Sequence, residues 1–293
     1  MNRYDICCIG HITLDKVITP AQTAFMPGGT AYYFSHAIAA FCKNYLLVTA
    51  VADSELSSVV ELQERGIAVK RFNSQHTVFF ENRYGENVDE RWQRVLQQAD
   101  AFSVDALEEL NAAVFHVGPL LANDIAMEAI IRLSAKGKVS LDAQGLLRKV
   151  EGEKVLPIDW NEKEKILPQV YFLKANEEEL QVLTGFTDVE RGARQLAQWG
   201  VKEVIITLGS KGSVIYAEEK FYQIPAYQPP QLVDATGCGD TYMAGYLCKR
   251  MQGEGIQAAG EFAAAMATAK LAVSGPFKGS EEEILALQNR GNH

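Results

Sequence analysis

The sequence predicts an α/β fold: a doubly wound, mostly parallel sheet with helices on both faces, three layers in all. Two observations carry the prediction. Short apolar runs such as Tyr4–Ile9 and Tyr45–Val51 have the composition of strands buried on both sides. From residue 113 onward such runs alternate with helix-length segments, the pattern of βα units feeding a parallel sheet. The chain has 293 residues, 47% apolar and 22% charged, which are ordinary globular values. It carries no internal repeat, low-complexity tract or long linker, so one domain over 1–293 is expected.

In chain order, Tyr4–Ile9 is the first strand, closed by Gly10. Gly28-Gly29 precedes a helix over residues 31–42, with Ala37, Ile38 and Phe41 on one side. Tyr45–Val51 is the next buried strand. Residues 54–65 read as a helix with Ser54 as N-cap and Gly66 as its stop. Residues 67–72 and 77–84 are strands whose apolar and polar residues alternate, which predicts one exposed face. The regular stretch then supplies a strand at 113–117, a helix at 124–136 and a strand at 139–142. Residues 151–167 are polar, with charges on both sides of Trp160, and read as a surface excursion. A strand at 170–174 leads into a helix at 176–184 with Asn176 as its cap. There follow a helix at 188–199, a strand at 203–207, a hairpin of 212–217 with 220–224, and helices at 239–250 and 256–274.

Composition removes several classes of function. The formal charge is −9 and no Lys/Arg block stands against it, so a nucleic-acid partner is not expected. Five cysteines without a CxxC spacing read as free thiols in a reducing compartment, with no metal finger. The N-terminus lacks a basic region followed by an apolar stretch, and no apolar run nears the roughly 20 residues of a membrane span. A soluble, cytoplasmic protein is the expectation. Gly10 stands alone after the first strand, which excludes the Gly-x-Gly-x-x-Gly of a dinucleotide-dependent oxidoreductase, and no Gly-x₄-Gly-Lys-Ser/Thr of a P-loop kinase occurs.

In a doubly wound sheet, ligands bind beyond the carboxyl ends of the strands, where Gly10, His11, Asp142, Asn176 and Gly209 fall. The strongest signal is Asp234-Ala235-Thr236-Gly237-Cys238-Gly239-Asp240 at the start of a helix. Two glycines around one small residue permit close approach of a ligand, and amides at a helix start hold anions. Asp240, in the first helical turn, is placed to take a proton from an attacking hydroxyl.

This segment resembles the Asp-Thr-x-Gly-Ala-Gly-Asp signature of the ribokinase-like (PfkB) carbohydrate kinases, with Ala235 where Thr is usual and Cys238 where Ala is usual. The resemblance implies a ribokinase-like fold with a small β lid from about 12–27 and 67–95. It implies an anion hole from the amides of Gly237, Cys238 and Gly239, with Asp240 as catalytic base. It also implies ATP and Mg²⁺ as cofactors and a small polyol as acceptor. Further positions match in order. Asp15 and Gly28-Gly29 resemble substrate-contacting positions. Asn176 and Glu179 resemble the family's Asn-x-x-Glu, which implies Mg²⁺ at Glu179. Thr207, Gly209, Gly212 and Thr236 resemble nucleotide-contacting positions, and 264–275 a helix bordering adenine. Family lids sometimes pair between subunits, which would give a homodimer. Tyr33 stands where Asn usually binds sugar hydroxyls, so ribose and fructose are not the expected acceptors. The stretches 77–84 and 141–148 resemble a branch that includes inositol kinases. A nucleoside kinase, and a non-catalytic sensor on the same fold, are the alternatives. Cys238 reads as a small filler.

Overall fold

The computed structural model describes residues 3–20, 22–84 and 91–290. Nine strands form a large sheet: β1 (Tyr4–Ile9), β4 (Tyr45–Val51), β5 (Ala68–Asn73), β8 (Ala112–Val117), β9 (Lys138–Asp142), β12 (Phe172–Asn176), β13 (Glu203–Thr207), β14 (Ser213–Ala217) and β15 (Lys220–Ile224). Their order is β15-β14-β13-β12-β9-β8-β1-β4-β5. All neighbours are parallel except β13 with β14 and β14 with β15. The β14–β15 turn holds Glu218 at φ 51° and Glu219 at φ 60°, the double left-handed geometry that matches strand twist in a tight hairpin.

Strand alternation sends neighbouring residues to opposite faces. In β1, Ile6 and Cys8 join one apolar cluster, and Cys7 and Ile9 join another. The first cluster takes in residues of α1 (Gly29–Ile38), α2 (Leu56–Glu64), α8 (Cys238–Met251), α9 (Ile256–Leu271) and α10 (Glu281–Arg290). The second takes in α3 (Val104–Glu108), α4 (Met127–Ser134), α5 (Lys163–Ile166), α6 (Glu177–Thr184) and α7 (Val189–Gln198). The three layers expected from the sequence are therefore present.

Six strands form a second sheet: β2 (Thr13–Ile18), β3 (Thr23–Gly28), β6 (Val78–Tyr84), β7 (Arg91–Gln97), β10 (Arg148–Glu151) and β11 (Lys154–Pro157), in the order β10-β11-β7-β6-β2-β3. Val78, Phe80 and Val95 pack with Leu120 and Leu121 beneath it. Glu81 ties three of its strands: it accepts from Lys16 at 2.9 Å and from Arg94 at 2.9 Å, and these bonds hold its carboxyl below the usual range.

Four expectations need correction. The helix expected at 31–42 starts at Gly29 and ends at Ile38. Ser54 lies in a short 3-10 turn, Asp53–Glu55, ahead of α2, and is not its cap. The lid segment expected from 67 begins at Val78, because Ala68–Asn73 pairs in parallel with β4 at the edge of the large sheet. The excursion at 151–167 is partly ordered into β11, which pairs with β10 and joins it to the second sheet. Ala21 and residues 85–90 of the expected lid lie outside the described residues.

Candidate active site

The carboxyl ends of β1, β9, β12 and β13 open on one edge, and the start of α8 faces them. Gly237 is the N-cap of α8, at φ 76°, a conformation that favours glycine. A Cβ there would overlap the Tyr33 ring, so the position is closed to other residues twice over. The Thr241 amide and hydroxyl both donate to the Gly237 carbonyl, at 2.9 and 2.8 Å. Upstream, Asp234 accepts from the Thr236 amide at 2.9 Å. The buried Lys270 donates to the Asp234 carbonyl at 2.9 Å and faces its carboxylate at 3.3 Å. The loop is thus held from both ends. Thr236 sits in it, half-buried. The Cys238 amide donates to the Ala235 carbonyl at 3.2 Å, so one of the three expected amides is already committed within the loop. The Cys238 thiol turns to the Ala267 carbonyl at 3.7 Å, and burial pushes it up to about 12. It is a neutral filler against α9.

Asp240 stands in the first turn of α8, set deep in the protein with part of its surface open. Its pKa is pushed up to about 6 by burial and by Asp142 and Glu179; Lys174 and a hydrogen bond from Thr30 oppose the rise. A carboxylate with that value can accept a proton near neutral pH.

Opposite it lies a fully folded-in charge cluster. Lys174 of β12 faces Asp142, at the end of β9, at 3.1 Å and Glu179 of α6 at 3.7 Å. All three are buried. Burial alone would lower the Lys174 pKa, but Asp142, Glu179 and Asp240 hold it above the ordinary lysine value. Asn176 caps α6 in a reciprocal box: the Glu179 amide donates to its side chain at 2.7 Å, and its own amide donates to Glu179 Oε2 at 2.8 Å. That leaves Glu179 Oε1 buried without a hydrogen-bond partner. Burial raises the Glu179 pKa and Lys174 works against the rise. An orphaned carboxylate oxygen at a cleft fits Mg²⁺, which takes one or two carboxylates and keeps its other positions for water and donor phosphates. Among the described residues no group of three or more His, Cys, Asp or Glu is placed to hold a metal ion by itself.

The residues expected to contact the acceptor, Asp15 and Gly28-Gly29, meet at the base of the second sheet. Asp15 is buried on β2 and accepts from the Thr13 hydroxyl at 2.7 Å. A Cβ at Gly28 would lie 2.5 Å from Asp15 Oδ2, and one at Gly29 would lie 2.5 Å from the His11 carbonyl. The glycine pair is what lets α1 start so close to that carboxylate. Tyr33 is only 2% exposed, with its ring over Gly237. Burial, then Asp234, Asp15 and Asp240, push its hydroxyl up, so it stays protonated. It forms a wall behind the loop and presents almost no open surface. Thr207 and Gly209 lie at and just beyond the end of β13, the latter at φ 58°. Gly212, at φ 93°, abuts the Ile224 carbonyl, so its glycine serves the hairpin.

The model of the "pfkB family carbohydrate kinase" matches residues 5–283. The chain belongs to this family. It is a kinase with a hydroxyl acceptor, on a ribokinase-like fold. A cytidine kinase of Thermococcus kodakarensis is 28% identical over 265 residues, covering 86% of this chain and 91% of the relative. A ribokinase of Arabidopsis thaliana is 34% identical over 131 residues, 42% of this chain and 35% of the relative. Among solved structures, a pyrophosphate-dependent kinase in the ribokinase family, complexed with a pyrophosphate analog and myo-inositol, superposes with TM-score 0.87 at 26% identity. That match covers 96% of this kinase and 99% of the other chain.

Three polar residues around Asp240 were not assigned roles by motif: Thr30, Asp142 and Lys174. Asp142 was placed at the cleft by topology alone. Lys174 left one trace in the sequence, a lysine between the apolar Phe172-Leu173 and Ala175 in the strand Phe172–Asn176.

Proposed function

We propose that this kinase transfers a phosphoryl group from ATP to a hydroxyl of a small sugar, cyclitol or related polyol. The observation that carries the reading is Asp240. It stands at the α8 N-terminus beside a glycine loop, with a pKa of about 6 and a cation behind it. Asp15, together with the backbone at Gly28-Gly29, positions the acceptor. Asp240 takes the proton of the attacking hydroxyl as the donor P–O bond breaks and the new one forms. The helix-start amides, with those of Gly237 and Gly239 foremost, bind the transferring group. Asn176 and Glu179 would hold Mg²⁺, which supplies charge neutralisation on the donor phosphates. Thr207, Gly209 and Thr236 border the nucleotide. The likeness to a myo-inositol complex supports a cyclitol acceptor, and burial of Tyr33 at the position usual for a sugar-binding Asn agrees with a shifted acceptor. The cytidine kinase relative keeps nucleosides as the competing acceptor class. Five free cysteines, two of them adjacent in β1, suit a reducing, cytoplasmic compartment.

A second reading concerns the donor. A cleft of about 600 Å³ beside Asn176 and Glu179 is lined by Arg94, Arg148 and Lys154 of the second sheet. Three basic side chains suit a donor that is phosphate throughout, as in the pyrophosphate-dependent neighbour. Initial rates with Mg·ATP and with pyrophosphate, over a panel of inositols, sugars and nucleosides, test both points. Turnover of a cyclitol or sugar with ATP is the expected result. Turnover of cytidine alone would replace the acceptor class, and turnover with pyrophosphate alone would replace the donor.

A further inference from the structure

Gly239 has an ordinary helical backbone, so conformation does not demand glycine there. A Cβ at this position would meet two atoms within 4 Å, Lys174 Nζ at 3.3 Å and Lys174 Cε at 3.4 Å. The missing side chain therefore uncovers one thing, a buried ammonium under the first turn of α8. That ammonium is fixed: Asp142 holds it at 3.1 Å and Glu179 at 3.7 Å, and β12 carries it in the middle of the parallel sheet. Its third side faces the glycine. Asp240, the proposed base, follows one residue later, close enough for the two charges to act on each other.

We propose that Lys174 is a catalytic residue, the side-chain cation of the anion hole, which contacts the transferring phosphoryl group through the gap at Gly239. The inference rests on the proposed phosphoryl transfer and adds the residue that supplies its fixed positive charge. The amides of the loop bring partial charges only, and one of them is spent on Ala235. Lys174 brings a whole charge that neither moves nor changes protonation during the reaction. The P–O bond to the leaving group breaks, the bond to the acceptor oxygen forms, and the acceptor proton goes to Asp240. Lys174 keeps its own proton throughout and neutralises charge on the non-bridging oxygens. Pairing with two carboxylates keeps the ammonium ionised despite burial, and the small volume of Gly239 keeps it reachable.

The test uses two routes to remove the contact. Lys174→Met with Asp142→Asn deletes the cation and its nearest carboxylate together, so of its two carboxylate partners only Glu179 loses a counter-charge. Gly239→Ala leaves the cluster intact and covers the ammonium. Asp142→Asn alone is the control. Binding of inorganic pyrophosphate is read by calorimetry and integrity by thermal unfolding, neither of which needs the acceptor. Where an acceptor is in hand, kcat and the acceptor KM are read as well. The double variant and Gly239→Ala are expected to bind pyrophosphate at least tenfold more weakly than the parent, and the double variant more weakly than Asp142→Asn alone. With an acceptor, kcat should fall by about 10²–10³, the usual loss for one anion-hole donor, with acceptor KM within about threefold. A folded double variant or Gly239→Ala that binds pyrophosphate like the parent overturns the proposal, as does a parent that does not bind it. Failure of the kinase reading shows separately, as a parent that binds the anion but phosphorylates nothing.

Discussion

Asp240 is where folding and chemistry favour opposite protonation states. Burial raises its pKa to about 6, so the fold prefers the acid, whereas a general base must be ionised. Activity should therefore rise with pH through a limb near 6 and be lost below it, a profile of kcat/KM against pH reading the free enzyme. The stability effect has the opposite sign. The group binds its proton more tightly folded than unfolded, so its contribution falls as pH rises from about 4 to about 6 and stays unfavourable above that. Asp240→Asn should consequently lose about 10²–10⁴ in kcat and melt a few degrees higher than the parent at pH 8. An inactive variant that melts lower would mean that the carboxylate holds the loop together and that its loss says little about proton transfer. At this scale the sequence was informative where a residue acts through its neighbours in the chain. Gly237, Gly239 and Asp240 are readable together because they stand within four residues at one helix start. Thr30, Asp142 and Lys174 reach the site from α1, β9 and β12, and no short window contains them.

The helix that carries Asp240 is tethered at its far end. On α8, Tyr246 donates to Glu203 of β13 at 2.5 Å, and Arg250 grips the same carboxylate at 2.6 and 3.2 Å. Glu203 is 3% exposed. Arg250→Ala would leave that carboxylate with one partner in a buried place, at a cost of about 3 kcal/mol, the low end for a broken buried pair because the Tyr246 hydroxyl remains. Chemical denaturation should read that loss with little change in acceptor KM; a stability within 0.5 kcal/mol of the parent, inside the ordinary range for a surface change, would show that the tether is idle. Element by element, legibility followed locality. The Asn176–Glu179 cap and the stop at Gly66 are written in adjacent residues and read correctly. The strands Arg148–Glu151 and Lys154–Pro157 escaped because lysines, an arginine and glutamates dilute an alternation that leaves Val150 and Val155 only half-buried. Ala68–Asn73 reads as half-exposed because it is the last strand of its sheet, and edge position is a property of the fold.

Two sheets meeting at one edge give this kinase its working geometry. The large sheet supplies Asp142, Lys174 and Asn176, α8 supplies Asp240, and the second sheet supplies Asp15 together with Arg94, Arg148 and Lys154 of the cleft beside Asn176 and Glu179; in the proposed transfer Asp15 serves the acceptor and the basic residues the donor. No helix of the described residues is long and apolar enough to cross a membrane. The division predicts separable defects. Lys154→Ala should raise the donor KM by about tenfold, the scale of one charge-assisted phosphate contact, with the acceptor KM unchanged; an altered acceptor KM instead would assign the basic cleft to the acceptor. The order of strands and helices was legible because βα alternation fixes it, whereas the second sheet draws strands from three separated stretches of chain and closes only in three dimensions.

The most direct measurement is the initial rate of ADP release with Mg·ATP and a panel of inositols, sugars and nucleosides, taken from pH 5 to 8 for the parent and for Asp240→Asn. Turnover of a polyol by the parent, with an acid limb near pH 6 and a loss of about 10²–10⁴ in the variant, is the predicted result. A variant that turns the same acceptor over at the parent's rate, with the same limb, would contradict the assignment of Asp240 and the mechanism built on it.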